Sequence, residues 1–222
     1  MSPRLNFWRR LSDPDTVEQK ENFGMADSST ITLPSNILKE FLQALGRKEK
    51  AVILDIGAVV GPNVEYFLEL GTKVYLEDLI EVYTQPTYLR SVDDTSVFDE
   101  QKFFNENFKY SHAFFDGVIC WDSLSYLDPK FAKNFIIRLS SIMKPHSLVL
   151  GFFHTRKENT PARLHKYQIF GENHLGAIPL SKKLELPTIY QTRDIIQLFN
   201  GYENKKFYLM RHNILEVLFQ KK

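Results

Sequence analysis

The chain has 222 residues, with 28 Lys and Arg against 27 Asp and Glu, a formal charge of +1, and 43% hydrophobic residues. That hydrophobic content excludes disorder of the whole chain, and the near-zero charge supplies no general attraction for nucleic acid or an anionic membrane. A single cysteine, Cys120, excludes an internal disulfide framework and a multi-cysteine metal site.

The length suits one large domain, which should bury roughly 70% of its unfolded surface. The longest apolar stretches fall short of the roughly 20 residues that span a bilayer, and the first residues lack a signal-peptide core. A cytoplasmic location and no transmembrane segment are the expectation. No metal-ligand spacing is present.

Residues 1–32 read as an N-terminal tail or arm, with turn chemistry at Asp13-Pro14-Asp15 and an aromatic-basic cluster at Phe7-Trp8-Arg9-Arg10. A domain over 33–222 follows. Pro34-Ser35 opens a helix whose Ile37, Leu38, Phe41, Leu42 and Leu45 recur at helical spacing, with Gly46 as the stop. Ala51 to Gly57 is a continuous apolar run ending in Asp55 and Gly57, the pattern of a strand buried on both faces. A helix over 62–70 and a strand over Lys73–Asp78 complete a βαβ unit, which implies a parallel sheet with right-handed crossovers.

Two helical pieces are expected within 79–114, with a third strand near Val97-Phe98. Phe115–Asp122 is a clear strand. Asp128-Pro129 caps a helix striped with Phe131, Phe135, Leu139 and Ile142. Lys144-Pro145 ends it, and Leu148–Phe153 is the next strand. Residues 155–190, polar and with three prolines, read as an inserted substrate-side segment over the sheet's C-terminal edge. Thr192 starts a last helix. Strands near Lys206–His212 and Ile214–Gln220 have no helix between them and should pair as an antiparallel hairpin.

Ligands of such sheets bind at the carboxyl ends of the strands. The first strand ends in Asp55-Ile56-Gly57-Ala58-Val59-Val60-Gly61, whose glycines permit a tight turn. The second ends in Asp78, placed 21 residues after Gly57, a spacing at which an acid accepts both hydroxyls of a ribose. The bland reading of Asp78 is a helix cap.

Val52–Gly57 with Gly61, then Gly71–Asp78, resemble the first two motifs of the class I (Rossmann-like) S-adenosylmethionine-dependent methyltransferases. Phe115–Leu127 resembles the family's fourth-strand motif, Ile142-Met143-Lys144-Pro145 its lysine-proline turn, and the terminal hairpin its reversed last strand. The resemblance covers about residues 35–222. It implies an α/β fold, doubly wound, with a mostly parallel seven-stranded sheet, an antiparallel last strand and helices on both faces. It implies S-adenosylmethionine as cofactor, with Asp55, Gly57 and Gly61 at its methionine part, Asp78 at its ribose, and Trp121 and Asp122 beside its sulfonium and amino-acid end. Methyl transfer asks mainly for alignment of donor and acceptor, so no catalytic side chain is singled out.

The substrate-side candidates are His154, Arg163, His165 and Tyr167, the last three alternating so that an extended strand presents them on one face. The strand end Trp121-Asp122-Ser123-Leu124 lacks the motifs of nucleic-acid-modifying members, which favours a small-molecule acceptor. In one departure, Val59 stands where the family carries a glycine. An enzyme would pack its side chain away from the cofactor. A methyltransferase-like binding or assembly module without catalysis, the alternative reading, would have Val59 or Val60 fill the groove.

Overall fold

The computed structural model describes residues 30–92, 95–156, 162–210 and 213–222. The expected Phe7–Arg10 arm lies outside them, as does His212.

The central sheet has six strands: β2 (Val52–Asp55), β3 (Lys73–Leu76), β6 (Phe115–Trp121), β7 (Met143–His154), β10 (Tyr202–Leu209) and β11 (Ile214–Lys221). Their spatial order is β10-β11-β7-β6-β2-β3. β3, β2, β6 and β7 pair in parallel. β11 is antiparallel to both β7 and β10. Among the described residues the expected seventh strand is absent from this sheet. Val97 and Phe98 belong to β5 (Thr95–Phe98), which among the described residues pairs only with β4 (Leu89–Val92), in a separate hairpin. Both strands of that hairpin are largely exposed, so no apolar face draws them to the edge of β3.

Six α-helices accompany the strands among the described residues: α1 (Asn36–Gly46), α2 (Gly61–Glu69), α3 (Leu79–Tyr83), α4 (Glu100–Glu106), α5 (Pro129–Ile142) and α6 (Thr192–Leu198). Strand side chains alternate between faces, and this divides the core. Ile53, Ile119, Leu150, Phe152 and Leu218 join α1 and Phe67 of α2 in one cluster. Leu54, Val118, Val149, Phe153 and Phe219 join α3, α5 and α6 in the other. α1 begins where expected, with Ser35 as its cap accepting from the Leu38 N–H at 3.0 Å.

Two further regions differ from the sequence expectation. Ile31–Pro34 forms a strand, β1, rather than the end of a tail. The inserted segment expected over 155–190 is built largely of a long hairpin, β8 (Ala162–Gly171) and β9 (His174–Leu184). β1 pairs with β9, giving a second sheet of order β1-β9-β8. Among the described residues no helix is long and apolar enough to cross a membrane.

Candidate functional site

From β2 the chain moves to β3 on one side, while β6 pairs on the other, so the sheet's order reverses between β2 and β6. The crevice at the carboxyl ends there is where such folds bind ligands. Gly57 follows β2 at this point and Trp121 ends β6.

Asp55 is buried, and its Oδ1 accepts from the Gly57 N–H at 3.0 Å and from Trp121 Nε1 at 2.7 Å. Burial pushes its carboxyl up to about 6 although both donors pull it down. Trp121 has a φ of 46°, in the left-handed region that costs a non-glycine residue roughly 1–2 kcal/mol. Its indole lies against Gly57. A Cβ built there would run into the indole Cδ1 and stand 2.9 Å from Nε1. The ring also stacks on Tyr167 of β8, with centroids 5.4 Å apart and planes 8° apart, and meets the edge of Phe152.

Trp121, not Val59, therefore occupies the space above the glycine loop. Val59 is 50% exposed and is absent from the residues with positive φ. Val60 is the N-cap of α2 in an extended conformation. Gly61 has open space where a Cβ would stand. What remains between Gly57, Ala58, Asp78, Trp121, Tyr167 and Lys182 is a cavity of about 50 Å³. Sites for drug-sized ligands enclose roughly 300–1,000 Å³, so the groove is closed.

Asp78 lines this cavity and is also the N-cap of α3, accepting from the Glu81 N–H at 2.9 Å. Burial raises its carboxyl above the ordinary range. Asp122 points elsewhere: its Oδ2 accepts from the Tyr167 hydroxyl at 3.0 Å and faces His154 Nε2 at 3.3 Å. His165 and Tyr167 line the cavity, whereas Arg163 is exposed. The expected common face breaks because the β8–β9 register shifts between Arg163 and His165, which turns Leu164 inward. Cys120 is buried within β6, and burial pushes its thiol up, the state of an inert core residue.

Residues that periodicity did not single out hold the β8–β9 hairpin against this crevice. Asn63, buried on α2, donates from Nδ2 to the Tyr167 carbonyl and accepts the Ile169 N–H on Oδ1, both at 2.7 Å. Lys182 of β9 reaches Thr84 Oγ1 at 2.8 Å and Glu81 Oε2 at 3.2 Å. The signal for Asn63 was a polar side chain on a helix next to the glycine loop. Asn63→Ala leaves a buried N–H and a buried carbonyl unpaired, so a loss of about 2 kcal/mol is expected. Faster hydrogen exchange at the Ile169 amide should accompany it. An unchanged Ile169 exchange rate would show that the clamp does not hold β8.

No protein-family model matches the chain, and no curated protein matches it. Solved structures with a related chain path include S-adenosylmethionine-dependent methyltransferases. The 1,6-didemethyltoxoflavin-N1-methyltransferase of Burkholderia thailandensis, solved with 1,6-didemethyltoxoflavin and S-adenosylhomocysteine, is 15% identical over 84% of this chain and 77% of that one, with a TM-score of 0.47. A methyltransferase from Aquifex aeolicus is 12% identical over 98% of each chain, with a TM-score of 0.47. Another from Methanosarcina mazei is 12% identical over 84% and 97%, with a TM-score of 0.45. Likeness of this degree concerns the path of the chain.

Proposed function

We propose that the chain is an S-adenosylmethionine-dependent methyltransferase acting on a small-molecule acceptor. The observation that carries this reading is that the Gly57–Ala58 loop after β2 and Asp78 after β3 line one cavity at the sheet's switch point. The donor set suits the cofactor. Asp78 offers a carboxylate for ribose hydroxyls, Gly57 and Ala58 offer backbone, and Asp55 fixes the loop from behind. The cofactor, when bound, supplies a methyl group already activated on a sulfonium. The space it needs is held by the Trp121 indole, so Trp121 and Tyr167 must swing aside for it to enter.

That same indole favours a second reading, a methyltransferase-like binding or assembly module whose groove stays filled. Calorimetric titration of the wild type and of Trp121→Gly with S-adenosylmethionine separates the two. Glycine removes the ring and accepts the positive φ without strain. Binding by the wild type, weakened at least tenfold in Asp78→Ala, is the expected result, because a charge-assisted bond contributes roughly 1.5–3 kcal/mol. Binding by Trp121→Gly alone establishes the module. Binding by neither overturns the enzyme reading.

A further inference from the structure

Asp122 is 4% exposed in its side chain and His154 11%, and their side chains meet at 3.3 Å. Around the pair, the Tyr167 hydroxyl donates to the same Asp122 Oδ2, and the Tyr126 hydroxyl stands 3.3 Å from His154 Nε2. The Ser125 hydroxyl accepts the His154 N–H at 3.3 Å. A buried carboxylate against one ring nitrogen selects the tautomer protonated there and leaves the other nitrogen basic. With the proton on Nε2, the basic atom is Nδ1.

His154 also lines a second cavity of about 100 Å³, together with His165 and Tyr167. Its remaining walls are apolar: Ile31 and Leu33 of β1, Ala177 of β9 and Ile214 of β11. Tyr167 and His165 line both this cavity and the one beside Gly57. The second cavity thus adjoins the crevice through His165 and Tyr167, and the cofactor must displace the Tyr167 ring. An apolar cavity of roughly 150 Å³ admits benzene, so this one has room for the hydroxyl-bearing edge of a single ring.

We propose that this cavity receives the methyl acceptor, a small molecule with an apolar body and one phenol- or enol-type hydroxyl, and that His154, held by Asp122, takes the hydroxyl's proton. The inference rests on the methyltransferase reading above and names its substrate class. Base strength selects the hydroxyl. An imidazole is a strong enough base to take the proton of a phenol or enol, and proton transfer to it becomes inefficient for much weaker acids such as an aliphatic alcohol. In the step, the O–H bond breaks, the proton joins Nδ1, and the bonding pair stays on oxygen. The imidazolium so formed faces the Asp122 carboxylate, and the phenolate charge is cancelled by a methyl group received without its bonding pair. The proton leaves to water with the product.

Phenol and its methyl ether, anisole, serve as probes because they differ only in the hydroxyl and the capping methyl. On the full chain, phenol is expected to shift the His154 ring signals in carbon-detected NMR, and anisole to leave them nearly in place. In His154→Gln, phenol affinity should fall at least tenfold, while S-adenosylmethionine affinity and melting temperature stay close to wild type. Asp122→Asn, which keeps the shape and removes the charge, should weaken phenol with His154 still present. Equal responses to phenol and anisole, or an unchanged phenol affinity in His154→Gln, overturn the assignment while leaving the methyltransferase reading standing. Loss of that reading shows separately, as no S-adenosylmethionine binding by any of these proteins.

Discussion

Gly57→Ala is expected to lower the stability of the chain by about 3 kcal/mol, the upper end for overpacking a buried site. The three atoms nearest to a Cβ at this position all belong to the Trp121 indole. Moving that ring breaks its stack on Tyr167 and its hydrogen bond to Asp55, so the clash is costly to relieve. Gly57 itself has no positive φ, so alanine brings no backbone strain and the whole cost is the clash. In a Trp121→Gly background the clash is gone, and the alanine should then cost under about 1 kcal/mol. Trp121→Gly alone removes a buried ring, a change that typically costs roughly 3–5 kcal/mol, offset in part by relief of the left-handed conformation. Denaturant midpoints of the four proteins form a double-mutant cycle with a coupling of at least about 2 kcal/mol. Additive losses would mean that the glycine answers to something other than the indole.

That cycle bears on what the sequence could disclose. Asp55-Ile56-Gly57 was legible as a glycine turn after a buried strand, because four apolar residues between two polar ends have few other uses. What the glycine makes room for was not legible. A tryptophan at the end of β6 suits a neighbour of a bound ligand as well as a ring that takes the ligand's place. The choice depends on Tyr167, 46 residues later in the chain and on another sheet. The hairpin β8–β9 was hidden by Pro179, which argues against a strand unless the ladder is already broken. It lies opposite His165, where the register shifts. β1 was hidden because it is four residues long and ends in Pro34, at the edge of its sheet. The third strand was read from Val97 and Phe98, and its β-forming residues were read correctly. Their partner is β4, ten residues away or fewer, where pairing costs little loop entropy.

Glu216 supplies a result of comparable size, and its sign is opposite to that of an ordinary ion-paired carboxylate. It sits in the middle of β11 at 1% exposure, accepting from the Ser35 hydroxyl and from the Ile37 and Leu38 N–H groups at the start of α1. Those donors and the positive end of the helix favour the ionised form. Burial opposes them and prevails, so the carboxyl is pushed from 4.5 up to about 7. A folded-state value above the unfolded one means that the native chain binds the proton more tightly. The site's contribution is therefore complete below pH 4.5, declines as the pH rises, and is lost above pH 7. At 1.36 kcal/mol per unit, the decline amounts to about 3 kcal/mol. Glu216→Gln keeps an oxygen that can accept from Ser35 and the helix start, and it does not ionise. Relative to wild type, the variant should gain about 3 kcal/mol between pH 4.5 and 8, measured from denaturant midpoints at fixed ionic strength. A variant that instead loses ground as the pH rises would show that the helix N–H groups outweigh burial, and that Glu216 is a stabilising charged cap.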